Sequence, residues 1–513
     1  MDRSWRGLAI LAAGWLLSGC LGGSDPSYRV STQAAEGGAL SPPFATAVAG
    51  STVTLQVVPA AGFEVVSVSG CGGQLQGALY TTGPVAGDCT VVPTFGLRRH
   101  TVTAVASPAG AVSPQASQVG HGSRLTVSLA PGPGSVLVGA TGCGGTLDGL
   151  AYTTAAVTAD CTVTATFARA VVLLQGLASP WGLAELPDGR FLVTERTGGL
   201  AVIGADRAEI QARIALPLEI AVEGQGGLLD VALDPDFEQS PWVYLSYAER
   251  GSGAEAGLFG TAVARARLQG SALVDWQVIV RQVPKVGGGA HFGSRLVFGP
   301  DKTLFITFGD RGAPALAQDL RATVGKVIRV NRDGSLPADA GKVPGALPEI
   351  WSLGHRNVQG AAIRPGTGEL WANEHGPQGG DELNRVVAGG NYGWPLVSYG
   401  CNYGDPVGSA CRIGGGVHAP AYREPASYWV PTSVAPAGLV FYSGSRFPAW
   451  QGHAFMGALA GTALWRIALE GNAEASRERL FAALGERIRD VRQGRDGMLY
   501  LLTDSGKLVQ VRD

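Results

Sequence analysis

Charge is scarce in this chain. Only 16% of its 513 residues are Asp, Glu, Lys or Arg, and the net charge is −2. So even a balance offers no basic footprint for nucleic acid. With 45% apolar residues the chain is also not a disordered polyelectrolyte. Long helical periods are few, while glycine stands at 77 and proline at 30. That excess of turn formers favours an all-β protein. Cysteine is sparse, at seven, and no CxxC spacing occurs, which argues against a cysteine metal site.

What is present begins with an export signal. Arg3 and Arg6 precede an apolar run, Leu8 to Leu17, that is too short to span a bilayer and ends in "LSGC" at 17–20. The ending resembles a bacterial lipobox, with Cys20 lipidated after cleavage; an ordinary cleaved signal is the other reading. A lipid chain on Cys20 would anchor the protein to a membrane without spanning it. Leu21 is not the aspartate associated with inner-membrane retention, so the expected address is the outer membrane. The other six cysteines fall into local pairs, Cys71/Cys89, Cys143/Cys161 and Cys401/Cys411, as expected of disulfides in an oxidising periplasm.

Two repeats follow the signal. "GCGGQLQGALYTTGPVAGDCTVVPTF" at 70–95 matches "GCGGTLDGLAYTTAAVTADCTVTATF" at 142–167. Each is expected to be a small β module stapled by one disulfide, since so short a segment has a thin core. The expected division is 1–20 signal, 21–97 and 98–169 repeat modules, and 170–513 a larger β domain. The modules carry no catalytic constellation, and His100 and His121 read as plain surface histidines.

From about Ala170 a pattern recurs: an apolar strand, a turn with Pro, Gly or Asp, then a second apolar strand. Its copies lie at 183–196, 231–249, 296–310, 361–376, 439–459 and 491–504. Blades of four strands need about 40–50 residues each, so six hairpin cores predict a six-bladed β-propeller. A large β-sandwich is the alternative, but it does not explain six copies of one turn motif. Propeller loops converge on a central channel, which makes polar residues in glycine-rich strand ends the ones to inspect.

Those residues are Gln225 in "EGQGGLLD", His291 in "GAHFGSR", Asp310 in "FGDRG", His355, Arg356 and Asn357 in "GHRNVQG", and Glu374 and His375 in "NEHGPQGGDELN". Further along come Ser433 in "WVPTSVAPAG" and Arg487 and Arg489 in "GERIRDV". With "HFGSRLVFGPD" and "NYGWP", these motifs make residues 177–511 resemble the soluble pyrroloquinoline quinone (PQQ)-dependent sugar dehydrogenases, especially the aldose dehydrogenase branch. That family is built on a six-bladed propeller. The resemblance implies that His291 is the general base at the sugar's anomeric hydroxyl, as a hydride passes to the quinone. Arg356 would stabilise charge growing on the quinone oxygen, and Asn357 would hold the cofactor rim. Gln225 and Asp310 would orient substrate and base, Asp310 by fixing the tautomer of His291. Ser433 would contact the cofactor, and Arg487 and Arg489 would pair with its carboxylates.

The resemblance also implies calcium, held by the carbonyls of Gly376 and Pro377, with a second, structural ion on Glu382 and the Tyr392 carbonyl. In several relatives a lysine in the stretch matching "GALAGTALWRI" meets a cofactor carboxylate; this chain has Ala460 there, so weaker cofactor retention is expected, and not its absence. Some readings stay bland. His355 and His375 suit packed turns, His418 and His453 surface or packing sites, and Trp181, Trp394, Trp429 and Trp465 core aromatics, with Trp429 also a candidate for the pocket mouth. The expected function is oxidation of an aldose to an aldonolactone, with electrons leaving to an unidentified acceptor. The rivals are a propeller that has lost its cofactor and binds glycan or protein, and a calcium-dependent lactone hydrolase.

Overall fold

The computed structural model describes residues 25–513, so Cys20 and the signal segment lie outside the described residues. The fold is all-β; the helical segments among the described residues are short 3-10 turns. Between Pro180 and the C-terminus the strands pair into six antiparallel meanders: five of four strands, one of these extended by a fifth short strand, and a last one of three strands whose fourth comes from Cys161–Leu174. Each expected hairpin is the innermost pair of one sheet. The innermost strands are Pro180–Glu185, Leu228–Leu233, Leu296–Phe298, Val358–Ile363, Pro436–Phe441 and Ile488–Gln493. Each touches the next, and the last touches the first, which closes a ring.

The second strands explain why the sequence pattern is apolar runs and not strict alternation. Phe191–Glu195, Leu304–Phe308, Leu370–Glu374, Ala454–Ala458 and Leu499–Thr503 are buried at every position. A strand covered on both faces by neighbouring sheets has no solvent side to mark with polar residues. The cores lie between blades: Leu192, Val231 and Leu245 join the first two, and Tyr244, Leu296 and Ile328 join the second and third.

The ring is closed by a strand shared with the module before it. Cys161–Leu174 runs beside Arg99–Ala106 in parallel through its first half. Its second half pairs antiparallel with Leu508–Arg512, Arg169 opposite Arg512 and Leu174 opposite Leu508. The boundary expected at residue 170 therefore falls inside one continuous strand. The second module and the last blade are one sheet, and Val138 and Ala168 share a core with Leu499 and Leu508.

The two modules are built alike. In each, a tyrosine hydroxyl donates to the carbonyl of a glycine ahead of the first cysteine: Tyr80 to Gly70 and Tyr152 to Gly142, both at 2.6 Å. Cys71–Cys89 and Cys143–Cys161 are bonded. His100 departs from the surface reading. It is 8% exposed, and its Nε2 lies 3.1 Å from Nδ1 of His121. Replacing both Cys143 and Cys161 by serine is expected to destabilise the second module by about 3 kcal/mol, as for closing a loop of this size. Calorimetry under oxidising conditions checks it as a lowered first transition.

Charge fills the space between the innermost strands. Arg295, 1% exposed, reaches Asp230 at 2.8 Å and Asp490 at 3.1 Å. Arg492 joins the same two carboxylates at 3.2 and 3.0 Å. Asp230 Oδ2 accepts the amide of Leu296, and Asp490 Oδ2, already paired with Arg492, accepts that of Leu183, from two other blades. Residues of four blades are thus tied to one another by ions and amides.

Candidate active site

The stretch "GGGAHFGSR" becomes intelligible once its neighbours are seen. His291 has φ of +53°, the left-handed region that non-glycine residues rarely occupy. Three contacts hold it there. Its N–H donates to Gln225 Oε1 at 2.9 Å, its Nδ1 lies 2.7 Å from Asp310 Oδ1, and its carbonyl lies against Gly309. A Cβ on Gly309 would sit 2.0 Å from that carbonyl, so only glycine lets the Asp310 strand end pass beneath. Gln225 is itself fixed, its amide donating to the Gly289 carbonyl at 2.7 Å. Strain of this kind persists where the surroundings over-determine it, and it clusters at working sites.

Asp310 is 1% exposed, and three donors address its carboxylate: Gly312 N–H and His291 Nδ1 reach Oδ1, and Trp394 Nε1 reaches Oδ2 at 2.8 Å. Its own amide donates to Arg356 O at 2.6 Å. Burial works to raise its carboxyl, but the His291 contact, Gly312 and the Arg356 charge together hold it below the usual range. An ionised Asp310 accepts Nδ1–H from His291 and leaves Nε2 with its lone pair. That is the tautomer a general base needs.

Arg356 and Asn357 stand at the next blade's entrance. Glu374 takes the Arg356 amide at 2.7 Å and the His355 ring at 2.9 Å. The Arg356 guanidinium reaches the His375 carbonyl at 3.2 Å and the Tyr403 hydroxyl at 3.4 Å. It lies 5.3 Å from the Trp394 ring centre. Asn357 Oδ1 accepts Gly293 N–H at 3.2 Å, which joins its loop to that of His291. Arg356 Nε and Asn357 Nδ2 are buried without a partner. Buried donors left open cost about 1–3 kcal/mol each, so a polar guest with acceptor oxygens suits this corner. His355, stacked on Tyr392 and bonded to Ser352, is a packing residue. Burial and the Arg356 charge push the His375 ring down to about 3; its Nε2–H donates to Pro436 O.

Asp381 organises the opposite wall. Its carboxylate accepts the Gly376 amide at 2.9 Å, the Ser433 hydroxyl at 2.6 Å, and the amides of Val434 and Ala435. Burial pushes its carboxyl up against these donors. The hydroxyl proton of Ser433 is committed to Asp381, so Ser433 could meet a cofactor only as an acceptor. Gly376 must be glycine, because a Cβ there would lie 2.3 Å from the Gly380 backbone. Gly376, Glu374, Glu382, Tyr392 and His418 share a void of about 10 Å³, close to the room of one water-sized atom. Glu382 is already bonded to Asn384 at 3.1 Å and lies 3.3 Å from His418, and burial pushes its carboxyl up. Among the described residues no three or more His, Cys, Asp or Glu side chains form a metal cluster. A calcium ion held by the Gly376 and Pro377 carbonyls would rest on backbone oxygen, a donor set Ca²⁺ accepts.

Arg487 and Arg489 share a partner that the sequence reading missed. Both reach Asp504, at 2.8 and 2.9 Å, and Arg489 also donates to Gln359 at 2.8 Å. Asp504 lies in the turn just past the second strand of its blade, Leu499–Thr503. Ala460 is exposed, yet the Arg487 guanidinium caps the neighbouring Leu459 carbonyl at 3.0 Å. The Cys401–Cys411 disulfide forms, and its loop carries Tyr403 to the rim. Gln225, His291, Asp310, Arg356 and Asn357 are therefore brought together, Ser433 is tied to the Gly376 loop through Asp381, and Arg489 is tied to Gln359, while Arg487 contacts Asp504 and Leu459.

Comparison with known proteins fits this geometry. The glucose/sorbosone dehydrogenase pattern matches residues 177–510. The chain belongs to that family. The family's propeller here is 42% identical over 347 residues to the aldose sugar dehydrogenase YliI of Escherichia coli, covering 66% of this chain and 91% of that protein. It is 33% identical over 263 residues to quinoprotein glucose dehydrogenase B of Acinetobacter calcoaceticus, covering 47% and 54%. Among solved structures, the apo form of the soluble E. coli enzyme superposes with a TM-score of 0.62 at 40% identity, covering 67% and 99%. The PQQ-bound aldose sugar dehydrogenase of Streptomyces coelicolor gives 0.55 at 29% identity, covering 67% and 98%. Residues 28–96 and 100–171 each match the divergent InlB B-repeat domain. Membership in the glucose/sorbosone dehydrogenase family makes sugar oxidation by a quinoprotein-like oxidoreductase the activity class of the chain.

Proposed function

We propose that the chain oxidises aldoses at the anomeric carbon to aldonolactones with PQQ and calcium, while anchored in the cell envelope through a lipid on Cys20. The His291–Asp310 pair beside the open donors of Arg356 and Asn357 carries this reading. PQQ supplies a hydride-accepting quinone when bound. His291 Nε2 takes the proton of the anomeric hydroxyl, and Asp310 holds the imidazolium that results. Arg356 places fixed positive charge at the corner where negative charge develops. Asn357 Nδ2 and Arg356 Nε are the donors with nothing else to bind. Arg487 and Arg489 have a fork to offer cofactor carboxylates, shared with Asp504. Calcium at the Gly376 and Pro377 carbonyls would add Lewis-acid polarisation, and Glu382 with the Tyr392 carbonyl is the place for a second ion. Gln225 orients the loop that presents the base. The periplasmic side of the outer membrane suits the disulfides, and electrons pass to an acceptor yet to be identified.

The test is reconstitution. Apoprotein given PQQ and Ca²⁺ is expected to take up the cofactor and reduce a dye with at least one aldose of a panel. Neither uptake nor turnover with any sugar would leave the binding-only reading, which Ala460 favours. In the same assay Ala460→Lys is expected to tighten PQQ retention by roughly 10- to 150-fold, the equivalent of one charge-assisted hydrogen bond. A titration by fluorescence quenching checks it.

A further inference from the structure

We propose that Trp394 is a positioning residue that sets the base and the electrophilic arginine of this site at once, by its indole N–H to Asp310 and its ring face to Arg356. The inference rests on the function proposed above and deepens it. It departs from the sequence reading, in which Trp394 was a core aromatic.

The contrast with the other tryptophans carries it. Trp351, Trp371, Trp429, Trp450 and Trp465 all have a buried indole nitrogen without a partner; their rings fill space. Trp394 is half-buried, and its N–H is committed to Asp310 Oδ2 at 2.8 Å. A carboxylate with one oxygen pinned cannot turn about its Cβ–Cγ bond. Oδ1 is therefore kept for His291 Nδ1, at 2.7 Å, and for Gly312 N–H, at 2.9 Å. The ring's other service is to Arg356, whose guanidinium carbon lies 5.3 Å from its centre, within cation–π reach.

Trp394 is in turn held from behind. Its amide donates to the Gly354 carbonyl at 3.0 Å, one residue before His355 and two before Arg356. Its carbonyl accepts Gln318 Nε2 at 2.7 Å, and Gln318 is locked to Asn391 by a reciprocal amide pair. The indole thus joins two blades' loops at the atoms where proton and charge are handled. Outer contacts of this kind, which orient a working group without touching substrate, typically change activity by about 10- to 100-fold when removed.

Trp394→Phe keeps the ring and removes the N–H. The expected result is a kcat lower by about 10- to 100-fold, with KM and PQQ affinity within about twofold. Trp394→Leu removes the ring as well and is expected to fall further. Gln318→Met, which frees the tryptophan backbone, gives a smaller loss of the same kind. The second readout needs neither quinone nor sugar. In the apoprotein the low-field proton resonance of His291 Nδ1–H, assigned by its absence in His291→Ala, is expected to broaden or shift upfield in Trp394→Phe. An unchanged resonance, or a kcat equal to wild type, overturns the proposal, as does a loss confined to KM. If wild type oxidises no aldose yet the resonance responds, the positioning stands and the assigned reaction falls.

Discussion

Replacing His291 by alanine is expected to lower kcat by about 10²- to 10⁴-fold, the range a general base contributes, while PQQ still binds. The two effects separate because His291 is held by Gln225 and Asp310 and not by the open donors of Arg356 and Asn357. Alanine at 291 leaves the Asp310 carboxylate with Gly312 and Trp394, so it is not stranded. The φ of +53° would be kept at a cost in strain, which is why the variant's melting temperature should be measured beside its turnover. Asp310→Asn is the sharper companion. An amide at that position can donate to Nδ1, which puts the remaining proton on Nε2 and removes the base without removing the ring. Its kcat is expected to fall nearly as far as that of His291→Ala. Stopped-flow turnover with saturating aldose and bound PQQ checks both. Wild-type rates in His291→Ala would remove the base assignment.

Much of this architecture was legible because its signals are local. Each blade's inner hairpin carries its own turn, such as "LPDGRF" or "QGRDGM", between two apolar runs, and each is found where the runs were read. The disulfides were legible for the same reason, every pair closing a short loop. The ring closure was not. "TFARAVVLL" reads as one apolar strand, and nothing in it names a partner at Leu508–Arg512. The site shows the same division. His291, Asp310, Arg356 and Asn357 interrupt strand ends with unusual chemistry and stand out. Trp394 and Gln359 do not, because an aromatic or an amide announces its type but not the direction of its N–H. Asp504 carries no such signal, because an aspartate in a turn such as "LTDSG" is unremarkable, yet it holds both arginines meant for a cofactor.

The ionic centre yields the second large expected effect, and it concerns stability instead of turnover. Asp230→Ala should destabilise the propeller by about 3–5 kcal/mol, the usual result of breaking a buried ion pair from one side. Asp230 is the partner of Arg295 at 2.8 Å and of Arg492 at 3.2 Å, and it accepts the Leu296 amide. Its loss leaves two guanidiniums to share Asp490 and one amide unpaired, and Arg295 is buried under the Trp181 ring and against the Gln359 carbonyl. The alternative account is that the charges merely fill volume. A second variant tells the two apart. Replacing the pair together, Asp230→Leu with Arg295→Met, removes the stranded charge along with the bond, and buried pairs exchanged for apolar side chains often change stability little. Urea denaturation of the propeller transition should therefore show the double variant more stable than Asp230→Ala alone. If both lose the same amount, the centre is held by shape, and the ions are incidental to closing the ring.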